Sequence, residues 1–114
     1  MAILEGMSAP ELSATEVAAA LERGELAAVD VREPGEWDAG HIAGALWIPM
    51  GEFADRVSEL PEGRLAIVCR SGARSGVVAD WLERSGVEAV NLAGGMQAWH
   101  AASLPIEPVD GWIA

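Results

Sequence analysis

The chain has 114 residues, 51% of them hydrophobic, which is enough for one domain built around a single core. Its formal net charge is −11 and it contains no lysine, so the clustered basic residues that bind nucleic-acid phosphates are missing. A single cysteine excludes a disulfide within the chain and any zinc site that needs several cysteines.

Hydrophobic periodicity predicts that strands and helices alternate along the chain. The first helix begins with a capping box formed by Ser13 and Glu16 and ends near Gly24. The later elements are predicted, in order, as a strand at 26–31, a short helix at 34–39, a strand at 45–48, an amphipathic helix at 51–60, a strand at 65–68, a helix from the mid-70s to Gly86 with an apolar stripe at 77, 78, 81 and 82, a strand at 87–92 and a helix at 94–101. Such alternation indicates an α/β fold with a mainly parallel sheet covered on both faces.

No apolar run approaches the length that a membrane helix requires, and residues 1–10 lack the basic and apolar regions of a secretory signal. We therefore expect a cytoplasmic protein with neither a membrane nor a nucleic acid as its partner. His41 and His100 lie far apart without metal-ligand spacing, so neither a metal nor a cofactor is expected.

The segment after the most apolar strand carries the candidate chemistry. It reads Cys69, Arg70, Ser71, Gly72, Ala73, Arg74 and Ser75, and runs from the strand end into a helix. The free amides of such a loop and first helical turn form an anion site, and they also stabilise a thiolate. An acidic chain that places two of its seven arginines here is expected to hold a small anion beside an activated cysteine. The alternative is that Arg70 and Arg74 form surface ion pairs.

A thiolate in such a cradle can attack either phosphorus or sulfur. Cysteine phosphatases and arsenate reductases use the spacing Cys-x5-Arg around a tetrahedral oxyanion, whereas Cys69 and Arg74 have the shorter spacing Cys-x4-Arg. The shorter ring favours a persulfide sulfur over a phosphate, and no aspartate stands just downstream as an obvious general acid. Phosphatase or arsenate-reductase activity remains the weaker alternative.

Three segments together resemble the rhodanese family across about residues 11–105. They are the loop at 69–75, the N-terminal signature DVREPGEW at 30–37 with GHIAGA at 40–45, and the C-terminal signature NLAGGMQAW at 91–99. The resemblance implies one domain over 1–114, with a central, mostly parallel five-stranded sheet between two helical layers.

The resemblance also implies a sulfurtransferase that works through a persulfide. Cys69 would be the catalytic residue, and the donor, such as thiosulfate, would bind at Arg70, Ser71, Gly72, Ala73, Arg74 and Ser75. The expected partners are a small anionic sulfur donor or persulfide and a thiol acceptor, with thioredoxin or another protein as examples. A rhodanese-like module that binds or regulates partners without turnover is the alternative from another functional class.

Other matched residues are expected to be structural. Asp30 and Arg32, together with Glu33, are predicted to form ion pairs that brace the loops. His41 is predicted to be a hydrogen-bonding anchor, and residues 94–95 are predicted to permit close backbone approach before the last helix.

Overall fold

A computed structural model of the chain describes residues 8–114. The strands are β1 (Glu11–Leu12), β2 (Ala27–Asp30), β3 (Leu46–Trp47), β4 (Leu65–Val68) and β5 (Ala89–Leu92), and the α-helices are α1 (Ala14–Glu22), α2 (Pro34–Ala39), α3 (Ala73–Arg84) and α4 (Gly95–Ala101). The strands form one sheet in the order β1-β5-β4-β2-β3, and every neighbouring pair is parallel.

The alternating side chains of β4 separate two hydrophobic cores. Ala66 and Val68 pack on the face that α1 and α4 cover, and Leu65 and Ile67 pack on the face that α3 covers. All four side chains are fully buried, and burying one of the larger ones contributes roughly 1.5–3 kcal/mol relative to exposure. The molecule therefore has the predicted three layers, with the strand before Cys69 at the centre of its sheet.

The first helix has the capping box that its sequence predicts. The Glu16 N–H donates to Ser13 Oγ at 3.2 Å, and the Ser13 N–H donates to Glu16 Oε1 at 2.8 Å. These two bonds satisfy amides that a helix start leaves unpaired. The chain then turns at Gly24, whose φ of 73° favours glycine.

The predicted helix at 51–60 is wrong. The segment forms two short 3₁₀-helices, Met50–Glu52 and Ala54–Glu59, and Arg56 leaves helical geometry with φ −119° and ψ 17°. Only Phe53 of the predicted apolar face is buried, while Val57 is 38% exposed. Neither short helix buries a residue within its bounds, so the segment lacks the packed apolar face that stabilises most α-helices, and tighter turns take its place.

Two further details differ from the prediction. Strand β1 is only two residues long, too short to produce an alternating pattern, and it pairs with β5 at the sheet edge. On α3 the predicted apolar stripe is only half buried, because Val77 is 58% exposed and Trp81 is 42% exposed. The buried face of α3 is instead formed by Ser75, Val78, Ala79 and Leu82.

Within residues 8–114, no helix has both the length and the apolar character needed to cross a membrane.

Candidate active site

Cys69 lies directly after β4, where the chain leaves the carboxyl end of the central strand. Ligands of open parallel sheets bind at this end, because the loops that leave the strands meet there. The residue is only 1% exposed and packs in the same core as α3. Its sulfur is therefore held at the floor of the loop.

The loop surrounds the sulfur with hydrogen-bond donors. The Gly72 N–H donates to Cys69 Sγ at 3.0 Å, and the hydroxyl of Ser75 lies 3.2 Å from the same atom. The left-handed backbone of Gly72, with φ 102°, makes the tight curve that directs these donors inward.

These donors change the acidity of the thiol. Burial alone raises the pKa of Cys69, but the hydrogen bond from the Ser75 hydroxyl opposes this effect. Backbone amides add to the opposition, and the resulting pKa lies below its ordinary value. The contributing amides belong to Ser75, Gly72 and Ser71.

The start of α4 fixes the back of the loop. The N–H groups of Met96 and Gln97 donate to the carbonyl oxygens of Cys69 and Arg70 at 2.8 and 3.0 Å. A Cβ on Gly95 would overlap the Cys69 carbonyl oxygen and would lie 2.6 Å from that of Arg70. The predicted close approach is thus confirmed at Gly95, and it holds the loop backbone against α4.

Arg74 is engaged by a carboxylate from another helix. Its Nη1 and Nη2 donate to the two oxygens of Glu36 on α2 at 2.9 and 2.8 Å. The hydrogen bonds from Arg74 lower the pKa of Glu36 to about 2. Hydrogen bonds to Glu36 raise the pKa of Arg74, and the nearby charge of Cys69 acts in the same direction. Arg74 therefore joins α3 to α2 while its charge stays close to the thiolate.

Arg70 contacts the C-terminal segment that follows α4, residues 102–114. Its Nε donates to the Ala114 carbonyl oxygen at 2.8 Å. With the Gln97 amide oxygen turned towards it, Arg70 Nη1 lies 2.7 Å from that oxygen. The same segment is anchored where the Trp112 N–H donates to the Ala39 carbonyl at 3.0 Å. Of the remaining loop residues, Ser71 is exposed and Ala73 is exposed at the start of α3.

The predicted ion pair next to the site is present and buried. Arg32 Nη2 donates to Asp30 Oδ2 and to the Gly40 carbonyl oxygen, both at 2.8 Å. Arg32 and Asp30 are 0% and 1% exposed. The prediction was wrong about Glu33: within the described residues its backbone N–H donates to Glu36 instead, because it lies just before the first turn of α2. The Asp30–Arg32 pair ties the end of β2 to the end of α2.

His41 is anchored, as its motif predicts. Its Nδ1 lies 2.8 Å from the Trp37 carbonyl oxygen, and its ring stacks on that of Trp37 at 3.7 Å between centroids. The backbone of His41 also exchanges two hydrogen bonds with Glu107, at 2.9 and 2.7 Å. The residue therefore joins α2 to the C-terminal segment.

The residues that sequence reasoning missed lie behind the sulfur. Asn91 Oδ1 accepts from the Ser75 hydroxyl at 2.6 Å, and Asn91 Nδ2 donates to Glu11 Oε2 at 2.9 Å. Asn91 is the one polar residue in β5, and this break in an apolar strand was the signal available in the sequence. Glu11 offered no comparable signal.

A groove lies in a different part of the molecule, away from Cys69. It has a volume of about 570 Å³ and includes Gly63 just before β4 and Glu88 just before β5. It thus lies at the amino end of the sheet, opposite Cys69, and Val57 and Trp81 contribute its apolar wall. The chemistry of the molecule is concentrated at the other end.

Known proteins share both the sequence and the architecture of this chain. A sulfurtransferase from Allochromatium vinosum is 44% identical over 85 residues, covering 73% of this chain and 79% of that protein. The structure of a rhodanese-related protein from Thermoplasma volcanium superposes with a TM-score of 0.80 at 28% identity, covering 85% of this chain and 96% of that one. A rhodanese-like domain protein from Staphylococcus aureus gives a TM-score of 0.73 at 35% identity, covering 79% and 90%. Residues 13–102 match the family described as Rhodanese-like domain. Since this match runs from the first helix through the cysteine loop to the last helix, the chain belongs to the rhodanese-like family.

Proposed function

We propose that this chain is a sulfurtransferase that carries sulfane sulfur as a persulfide on Cys69. The observation that carries the proposal is the set of donors around Cys69 Sγ, above all the Gly72 amide at 3.0 Å and the Ser75 hydroxyl at 3.2 Å. The lowered pKa of the Cys69 thiol increases the fraction of the nucleophilic thiolate at a given pH. The relative named a sulfurtransferase supports sulfur transfer as the general activity.

The reaction needs no cofactor and no external oxidant. The thiolate of Cys69 attacks the outer sulfur of thiosulfate, a sulfur–sulfur bond forms, and sulfite leaves with the electron pair of the bond that breaks. A nucleophile, either cyanide or a thiol, then attacks the outer sulfur of the persulfide and releases the Cys69 thiolate. Because the chain has one cysteine, this second nucleophile comes from another molecule.

The buried position of the sulfur suits this two-step scheme. Cys69 is 1% exposed, whereas the outer sulfur of a persulfide extends about 2 Å beyond Sγ along the new bond. The loop thus shields the resting thiolate and presents the transferable sulfur to a thiol acceptor such as thioredoxin or another protein.

The two arginines contribute positive charge at different distances. Arg74 is held by Glu36 and keeps a fixed charge near the sulfur. Arg70 is exposed, and its Nε donates a hydrogen bond to the Ala114 carbonyl oxygen. An anionic sulfur donor would replace this oxygen as the acceptor of the Arg70 N–H groups. The remaining donor contacts are made by the backbone amides of Ser71, Gly72, Ala73 and Ser75 and by the Ser75 hydroxyl.

Steady-state thiocyanate formation tests the proposal. With thiosulfate and cyanide both varied, double-reciprocal plots should be parallel, because the donor leaves before the acceptor binds. Cys69→Ser should abolish the rate, while the matched control Ser85→Ala, at the far end of α3, should keep it. A Cys69→Ser variant that still forms thiocyanate would contradict transfer through Cys69. A native protein inactive with both thiosulfate and a persulfide donor would favour the non-catalytic binding module.

A further inference from the structure

A chain of polar side chains leads from the exposed Glu11 at the sheet edge, through two buried residues, to the sulfur. Glu11 on β1 contacts Asn91 on β5, Asn91 contacts Ser75 on α3, and Ser75 contacts Cys69. Ser75 and Asn91 are 0% and 3% exposed, so water cannot readily replace a lost partner. The link between Asn91 and Ser75 is the shortest of the three, at 2.6 Å between Oδ1 and Oγ.

The orientation of the Asn91 amide is fixed by its other contacts. Nδ2 donates to Glu11 Oε2 and to the Gly72 carbonyl oxygen, both at 2.9 Å. Both of these partners are acceptors, so exchanging the amide oxygen and nitrogen would place oxygen against oxygen. The oxygen of Asn91 must therefore face Ser75 and can only accept.

Ser75 has one hydroxyl hydrogen for two possible acceptors. When Cys69 is a thiol, its S–H faces Ser75 Oγ and the hydroxyl donates onward to Asn91 Oδ1, so every group is satisfied. When Cys69 is a thiolate, the hydrogen turns towards the sulfur, and Asn91 Oδ1 loses its donor in a buried site. The single hydroxyl hydrogen of Ser75 cannot bond to Cys69 Sγ and Asn91 Oδ1 at the same time.

We propose that Asn91 is a positioning residue that controls the Cys69 nucleophile by competing with it for the hydroxyl hydrogen of Ser75. The competition opposes the thiolate, because forming it costs Asn91 a short hydrogen bond. It acts through rotation of a hydroxyl group, and no proton is transferred between Ser75 and its neighbours.

The same competition favours the sulfur-loaded protein. When Cys69 forms a sulfur–sulfur bond, Sγ becomes neutral and is a weak acceptor, and the negative charge moves to the outer sulfur. The hydroxyl of Ser75 then returns to Asn91 Oδ1. The inference rests on the proposed function only in taking Cys69 as the nucleophile. The change of acceptor by the Ser75 hydroxyl does not depend on the sulfur-transfer reaction.

The charged groups around Cys69 are held constant in the comparison that tests this inference. They are the Arg74–Glu36 pair joining α3 to α2, the buried Asp30–Arg32 pair at the end of β2, Arg70 in the loop and Glu11 on β1. None of these charged residues is substituted in the comparison. Asn91→Val does remove the hydrogen bond to Glu11, and any effect of that loss on the thiol is measured separately in the Ser75→Ala background.

The test measures the alkylation rate of Cys69 by iodoacetamide against pH, which requires no sulfur donor and is therefore independent of the transfer reaction. Four proteins form a cycle: the native chain, Asn91→Val, Ser75→Ala and the double variant. At pH values below the midpoint of the native rate–pH profile, we expect alkylation to be about fivefold faster in Asn91→Val than in the native chain. In Ser75→Ala we expect it to be about tenfold slower than in the native chain. The double variant should match Ser75→Ala, because Asn91 has no hydrogen left to compete for.

A slower or unchanged Asn91→Val protein would overturn the inference. So would an effect of Asn91→Val that persists in the Ser75→Ala background, since it would come from the lost contacts with Glu11 and Gly72 instead. If Asn91→Val does not fold, the side-chain amide resonances of Asn91 are followed by NMR through the titration of Cys69. They should move in the native protein and much less in Ser75→Ala; equal movement in both would contradict the competition.

Discussion

At the scale of single residues, the sulfur of Cys69 is governed by contacts that lie within one loop and one strand. Its burial disfavours the thiolate, and the Ser75 hydroxyl with three loop amides more than compensates. The folded chain around the sulfur thus lowers the pKa of Cys69, and unfolding would return that pKa to its ordinary range. Residues that hold the loop in place matter as much as those that touch the sulfur.

The buried Asp30–Arg32 pair yields a prediction at this scale. Arg32→Met leaves the Asp30 carboxylate, which is 1% exposed, without its counter-charge. We expect a loss of about 3–5 kcal/mol in the free energy of unfolding, because an unpaired buried charge is strongly unfavourable. Urea denaturation measures the loss.

The control is the double variant Asp30→Leu with Arg32→Met, which removes both charges. It should recover most of the lost stability, since an apolar pair of similar size avoids the desolvation penalty. A single variant as stable as the native chain would contradict a structural role for the pair.

At the scale of elements, the site depends on how helices approach the loop. The start of α4 binds the carbonyl oxygens of Cys69 and Arg70, and α2 reaches α3 through Glu36 and Arg74. The C-terminal segment adds a third contact at Arg70. These elements come from distant parts of the chain and meet at one loop.

Gly95→Ala tests the contact with α4. Its Cβ would overlap the Cys69 carbonyl oxygen, and its φ of 57° is unfavourable for alanine, so the loop must shift. We expect thiocyanate formation to fall by about a hundredfold, because a small displacement of a reacting group lowers the rate by about this factor. Gly35→Ala, where a Cβ meets nothing within 4 Å, is the matched control and should retain its rate. Equal rates in both variants would mean that α4 does not set the loop.

The contact between α2 and α3 gives a pH-dependent prediction. The folded-state pKa of Glu36 is about 2, below its unfolded value of 4.5, so its stabilising effect is complete above about pH 4.5 and declines as pH falls towards 2. Glu36→Gln should therefore cost on the order of 1 kcal/mol at neutral pH, a modest amount because Arg74 is 37% exposed.

Urea midpoints at neutral and acidic pH check this sign. The difference between the native chain and Glu36→Gln should shrink as the solution is acidified through the range below pH 4.5. A difference that grows on acidification would show that Glu36 is not stabilised as a carboxylate.

At the scale of the whole molecule, charge opposes the proposed donor. The net charge of −11 repels an anion such as thiosulfate at a distance, while Arg70 and Arg74 act only close to the loop. Raising the ionic strength from about 10 to about 150 mM shortens the screening length from roughly 30 to roughly 8 Å. We expect kcat/KM for thiosulfate to rise over this range.

Alkylation of Cys69 by neutral iodoacetamide is the control for ionic strength, and its rate should change little. A value of kcat/KM for thiosulfate that is independent of salt would contradict a long-range repulsion. A rise confined to thiosulfate would support a neutral or protein-bound sulfur donor as the better partner for so acidic a molecule.

The sequence predicted most of the architecture because its signals are local. The capping box at Ser13 and the apolar run of β4 each act within a few residues, and each behaves as predicted. Strand β1 forms through its pairing with the remote strand β5, and the segment around Arg56 lacks the packed face that its apolar pattern suggested, so no local pattern revealed either.

The site divides in the same way. Cys69 and its loop follow from one continuous segment and from its place after a buried strand. Asn91 and Glu11 come to Ser75 only through the pairing of β1 with β5 and the packing of α3 on the sheet. The contact of Arg70 with Ala114 is likewise a product of the tertiary fold. Residues that reach Cys69 only through another residue are therefore the ones that could not be predicted from the sequence.

Intact-protein mass spectrometry after thiosulfate treatment tests most directly whether Cys69 carries sulfur. The native chain should gain about 32 Da, the mass of one sulfur atom in a covalent intermediate, and should lose it on addition of cyanide. Cys69→Ser should gain nothing. A gain on Cys69→Ser, or no gain on the native chain with either thiosulfate or a persulfide donor, would contradict the proposed sulfur transfer.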